Sequence, residues 1–275
     1  MVDMACDIRP ISKRNAQTRW KQILRVTLTL SLYACATDDS HIAVADKGHA
    51  LFAKTSVLWN PGQVDVCWED MAGVPLQERN WVRDAIARTW SFAGDLEFVG
   101  WGQCSSGSAG VRIIVEDVMA PGPHTLQLGA DLDGVPDGVS LNHVFENWRA
   151  SDPNISWRIT CNPGSSEQQR RECIEGLAIH EFGHVAGFEH EGEAAWLFQP
   201  DYPPGYEERC APHTTTGFNG TGDELYNGIW DLESVMNRCS PAYPGATLTA
   251  TDFAGMQHFY GPSPRFVAAV STALL

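Results

Sequence analysis

The chain has 275 residues, 43% of them hydrophobic, enough to bury one core of about 200 residues with extensions at its ends. A formal charge of −15 opposes binding to nucleic acid and to anionic membrane surfaces. Ten Trp is a high number, but Trp serves core packing and groove walls alike, so the count alone assigns nothing.

The first 35 residues run against the acidic total, with Arg9, Lys13, Arg14, Arg19, Lys21 and Arg25 facing only Asp3 and Asp7. They lead into an apolar run from Val26 to Ala34, which has the order of a secretory signal peptide and is too short for a stable membrane span. Leu32-Tyr33-Ala34-Cys35 is similar to a bacterial lipobox, in which Cys35 would carry the lipid. The expectation is export, to the medium or the cell envelope of a bacterium, with no transmembrane span. Residues 36–55 are polar and irregular and read as a linker or short pro-segment, residues 56–262 as one folded domain, and residues 263–275 as an apolar tail.

Within the domain, Val64 to Trp68 alternates like a strand. Leu76 to Phe92 repeats apolar residues at helical spacing through Trp81, Val82, Ala85, Ile86 and Trp90. Strands are expected at Leu96–Trp101, Val111–Val115 and Val139–Phe145, the last preceded by a glycine-rich turn region. Glu167 to Ala186 reads as a second helix. The segment Glu191 to Trp230 lacks periodicity and is long for a connection, as functional or disulfide-clamped loops are. Thr251 to Tyr260 reads as a last helix, with Thr249, Thr251 and Asp252 as cap candidates and Gly261-Pro262 as its stop. This order suits an α+β fold, a twisted sheet with a helix on one face.

Beyond the leader lie six cysteines, Cys67, Cys104, Cys161, Cys173, Cys210 and Cys239. An even number in an exported chain points to disulfides, with 15 connectivities open. Closeness in sequence favours Cys67–Cys104, Cys161–Cys173 and Cys210–Cys239.

The chemistry concentrates in His180-Glu181-Phe182-Gly183-His184-Val185-Ala186-Gly187-Phe188-Glu189-His190. His180 and His184, four apart on a helix, project from one face, and two imidazoles so placed can share one Zn²⁺. Gly187 lets the backbone turn with positive φ, so that His190 can swing back as a third ligand. Three protein ligands leave a fourth position for water, the arrangement of a catalytic rather than a structural zinc. Glu181, next to the first ligand, is placed to take a proton from that water and pass it to a leaving amine. The five-residue core of the motif arises by chance in roughly one or two chains per hundred, and the extended motif in on the order of one in ten thousand. That difference sets the bland reading of two surface histidines aside.

The extended motif resembles that of the metzincin clan of zinc endopeptidases, and Ser234-Val235-Met236-Asn237, 46 positions beyond His190, resembles the clan's Met-turn. The resemblance spans about residues 56–262. It implies a mostly parallel sheet with an antiparallel edge strand, an active-site helix, and an irregular C-terminal lobe with the Met-turn and a closing helix. It also implies Met236 as a hydrophobic floor beneath the imidazoles. Glu191 after the third histidine is similar to astacins, whereas Arg238 stands where astacins carry a tyrosine; Thr249 to Gly261 is similar to the closing helix of matrixins. Bacterial astacin/matrixin-like peptidases are the nearest in pattern. By the same analogy, an edge strand would pair with extended substrate. Val139, Ser140, Leu141 and Asn142 are the candidates, and Arg238 is a candidate oxyanion donor.

Asp131, Asp133 and Asp137 stand close together among glycines and are candidates for Ca²⁺. The sequence thus reads as a monomeric zinc metalloendopeptidase acting on extracellular proteins or peptides. The rival readings are a catalytically inactive relative that binds peptides or a partner, a closed structural zinc site, and another hydrolase that uses zinc and water.

Overall fold

The computed structural model describes residues 51–118, 122–147, 161–190, 224–226, 231, 233–237 and 247–273. The leader, Cys35 and most of the expected linker fall outside these residues, as do Cys210, Arg238 and Cys239 and nearly all of residues 191–230.

The main sheet forms from runs rich in β-branched and aromatic residues, which suit a pleated surface. Its strands are β2 (Gly62–Trp68), β3 (Leu96–Gln103), β4 (Val111–Val115), β5 (His124–Thr125) and β6 (Val139–Leu141), in the order β3-β2-β4-β6-β5. The first four are mutually parallel and β5 is antiparallel at the edge. The fold is therefore α+β with a mostly parallel sheet and an antiparallel edge strand. This agrees with the expected architecture but changes the identity of the edge. Val139–Leu141 is paired on both sides and is an interior strand; the edge belongs to the two residues His124 and Thr125.

Helix α1 (Leu76–Arg88) ends four residues before the apolar periodicity does, because Thr89 leaves helical geometry at φ −110°, ψ −97°, and the short helix α2 (Trp90–Ala93) follows. Helix α3 (Glu167–Val185) packs against α1 and carries the motif. A half-buried ion pair fastens the two helices to the end of β6: Glu78 on α1 accepts from Arg170 on α3 and lies 3.0 Å from Nδ1 of His143. The core between helices and sheet is built on Trp68, Trp90, Phe98, Ile113, Leu132, Leu141 and Phe182. Cys67–Cys104 bridges β2 to the chain just beyond β3, and Cys161–Cys173 ties the approach segment to α3, as expected from their spacing.

Leu51–Ala53 forms strand β1, fully buried and antiparallel to β7 (Glu224–Tyr226), so the folded unit begins inside the expected linker. The apolar tail is helix α5 (Pro264–Ala273), whose Phe266 packs on Phe92 and Phe253. Between them in the chain, helix α4 (Ala250–Tyr260) has a capping box from Thr249 and Asp252, as the cap candidates foretell. No helix among the described residues is long and apolar enough to cross a membrane.

Candidate metal centre

Helix α3 starts at Ser166, which caps the Gln169 amide while the Gln169 side chain returns to the Ser166 N–H. From Cys173 to Val185 every residue is buried, so the second half of the helix runs through the interior. Three aromatic donors fix it there. The indole N–H of Trp90 donates to the Ile179 carbonyl at 2.7 Å and that of Trp59 to the Val185 carbonyl at 2.7 Å; the Tyr260 hydroxyl donates to the Ala186 carbonyl at 2.8 Å. The last two satisfy carbonyls that the end of a helix otherwise leaves open. Phe182 points the other way, edge-on to Phe98 and stacked on Trp101 of β3.

On this fixed helix His180 and His184 share a face, and the turn beyond it brings in His190. Gly187 has φ +90°, a backbone conformation that favours glycine. The Phe188 N–H closes the turn on the Gly183 carbonyl at 3.0 Å. Strand β1 then holds the turn from outside: Lys54 N–H donates to the Gly187 carbonyl at 3.0 Å and Glu189 N–H to the Phe52 carbonyl at 2.8 Å. His190 is thus positioned by a strand some 140 residues earlier in the chain.

The three imidazoles meet with their Nε2 atoms. His190 Nε2 lies 3.1 Å from Nε2 of both His180 and His184. Nδ1 of His180 donates to the Val235 carbonyl and Nδ1 of His184 to the Phe188 carbonyl, both at 2.7 Å. Those bonds set the tautomers: each of the two rings turns an unprotonated Nε2 inward. Three nitrogens so placed can share one cation, and tetrahedral zinc with Zn–N of about 2.0–2.1 Å requires nitrogens about 3.3 Å apart, close to the spacing seen. The donor set fits zinc. Among the described residues this is the one group of three His, Cys, Asp or Glu side chains close enough to hold a metal ion. Glu181 follows His180 in the chain and is likewise buried.

Met236 is wholly buried, with its side chain against Gly183 of helix α3. Its turn is bound to α4: the Ser234 hydroxyl donates to Asp252 Oδ1 at 2.6 Å, the Val235 N–H to Asp252 Oδ2 at 3.0 Å, and the Met236 N–H to Ser234 Oγ at 3.0 Å. Burial is the main cause that pushes the Asp252 carboxyl up to about 6, against the lowering effect of its bonds from Ser234, Val235 and Thr249.

The remaining candidates are not brought to this centre. Ser140 and Asn142 are buried and occupied within the fold: Ser140 Oγ donates to Glu116 at 2.9 Å and Asn142 Nδ2 to Asp117 at 2.8 Å. Asn142 Oδ1 also accepts from Val144 and Phe145 N–H, holding Phe145 at φ 62°. Val139 and Leu141 are core residues. Val139 and Ser140 are paired with β4 on one side and β5 on the other, so their backbone offers no free edge. The three aspartates likewise diverge. Asp133 Oδ1 accepts from Gly110 N–H at 2.6 Å and Asp131 faces Lys54 at 3.8 Å, while Asp137 offers its own N–H to Glu69 at 3.2 Å. No calcium cage forms from them.

Sequence reasoning missed β1, Trp59, Trp90, Tyr260, Ser234 and Asp252 as supports of the centre. The cap signal at Asp252 was readable, but its second duty to the Met-turn was not.

No protein-family model matches the chain, and no curated protein sequence does. Solved structures do. Myroilysin is similar with a TM-score of 0.44 and 17% identity over 77% of this chain and 98% of that one. High choriolytic enzyme 1, a hatching-enzyme zinc protease from Oryzias latipes (Medaka fish), is similar with a TM-score of 0.40 and 14% identity over 74% of this chain and 94% of that one.

Proposed function

We propose that the chain is a zinc-dependent endopeptidase of metzincin type, acting on extracellular peptides or proteins. The observation that carries this is the convergence of three buried Nε2 atoms, two of them tautomer-locked by carbonyls, beside a buried Glu181. Zinc held by His180, His184 and His190 supplies Lewis-acid polarisation of a carbonyl and lowers the pKa of water. Glu181 accepts the proton of the attacking water and delivers it to the leaving amine nitrogen, which departs as the peptide bond breaks. Met236 supports the imidazoles and takes no part in proton transfer. Two disulfides accord with an oxidising, extracellular setting.

An extended substrate would lie against the antiparallel edge strand β5, adding a strand beside His124 and Thr125.

The test is cleavage of a proteome-derived peptide library by the wild type and by Glu181→Ala, with and without a chelator. Cleavage is expected from the wild type alone and is lost on chelation. Equal cleavage by the variant overturns the role of Glu181, and cleavage that survives full removal of metal overturns the zinc mechanism.

A further inference from the structure

We infer that Asp252, acting through Ser234 and the Val235–Met236 peptide, is a positioning residue that tightens the hold of His180 on zinc; this rests on reading the centre as a zinc site. The four groups form an unbroken chain. The Ser234 hydroxyl donates to Asp252 Oδ1 at 2.6 Å and accepts the Met236 N–H at 3.0 Å. The peptide unit bearing that N–H also bears the Val235 carbonyl, which accepts from His180 Nδ1 at 2.7 Å. One peptide is therefore gripped at both ends, by a hydroxyl bound to a carboxylate and by a metal-ligating imidazole. Asp252 Oδ2 adds a second grip on the same turn through the Val235 N–H at 3.0 Å.

Helix capping explains only part of this. The capping box uses Oδ2, through the Thr249 N–H at 3.0 Å, whereas Oδ1 is given to Ser234. Ser234 and Asp252 are both fully buried, where bonds in a chain polarise one another most strongly. With its pKa raised to about 6, Asp252 is ionised at neutral pH, so a negative charge stands at the head of the chain. Its field runs through the hydroxyl and the peptide to the Val235 carbonyl. That strengthens the bond from His180 Nδ1 and raises the basicity of Nε2, the atom facing the metal.

The experiment measures zinc affinity of the full chain at neutral pH by competition with a fluorescent chelator, for wild type, Asp252→Asn, Ser234→Ala, Ser234→Thr and the Asn/Ala double variant. Asn keeps an oxygen for the two backbone N–H groups and removes the charge; Thr keeps the hydroxyl. Loss of a metal-orienting partner weakens binding by about 10–100-fold, so Asp252→Asn and Ser234→Ala are each expected to loosen zinc by about tenfold. The double variant is expected to match the weaker single one, because both cut the same chain, and Ser234→Thr to bind like wild type. If Asp252→Asn does not fold, the Ser234 pair decides alone. Folded Ser234→Ala that holds zinc as tightly as wild type and Ser234→Thr overturns the inference and leaves Asp252 a cap. A wild type that takes up no zinc overturns the proposed function and this inference with it.

Discussion

Met236 fills the space that a side chain at Gly183 would need: a β-carbon there would stand 2.1 Å from the Met236 sulfur and 2.9 Å from its terminal methyl. Gly183 lies inside the histidine motif, between His180 and His184, so the place that Met236 occupies against the helix is admitted by a missing side chain. Gly183→Ala forces either Met236 or the helix to move, and overpacking of this kind costs about 1–3 kcal/mol. The expected result is a lower midpoint in urea unfolding of the zinc-loaded protein. Met236→Ala added to Gly183→Ala relieves the collision, so the double variant is expected to be less destabilised than the two single losses together. Additive losses contradict the packing relationship.

Tyr260 joins helix α4 to the end of helix α3. Its hydroxyl donates to the Ala186 carbonyl at 2.8 Å and accepts the backbone N–H of Trp59 at 3.3 Å. Burial raises its pKa far above the usual tyrosine range, so it stays a protonated donor and plays no part as a base. Tyr260→Phe keeps the ring and leaves two inward polar groups unpaired, at a cost of about 1–3 kcal/mol. Urea unfolding should show that loss, with the zinc content of the folded protein unchanged.

Glu181→Gln separates the metal from the proton transfer. The amide has nearly the shape of the carboxylate but cannot accept the proton. Turnover of a cleaved library peptide is expected to fall by at least about 10²-fold, the usual contribution of a general base. Zinc content measured by atomic absorption should stay at the wild-type level. A variant that loses metal and activity together points to a structural role for Glu181 instead.

Local chemistry explains what could be read without coordinates. The histidine motif, the capping boxes and the helical periodicities each lie within a few residues of one another, and that is the range over which sequence pattern carries information. The failures are long-range. Val139–Leu141 carries a strand signal, but nothing in it tells an edge from an interior position, since its outer neighbour β5 is two residues long and too short to show alternation. Leu51–Ala53 is a three-residue apolar run whose value comes from Phe188 and Glu224–Tyr226, far along the chain. Helix α5 did carry a local sign, Ser263 capping before Pro264 at the first helical position, in the stretch read only as an apolar tail. The aspartates at 131, 133 and 137 looked clustered because they are near in sequence, yet each is drawn to a different neighbour.

The pH dependence of stability should carry the mark of Asp252. Its carboxyl rises from an ordinary 3.8 to about 6 on folding, chiefly through burial, with Asp231 adding to the rise. Between those values the folded protein binds the proton that the unfolded chain releases, so the slope of unfolding free energy against pH is negative for this group. Its contribution is therefore greatest below pH 4 and is lost as pH rises to about 6, after which it is flat. The change amounts to about 3 kcal/mol. Asp252→Asn removes that titration. The expected measurement is urea unfolding of both proteins across pH 4 to 7: relative to wild type, the variant's stability should improve as pH rises through this window. Parallel curves for the two proteins would mean that the carboxyl titrates alike folded and unfolded, and would overturn the effect assigned to burying this three-bonded carboxylate.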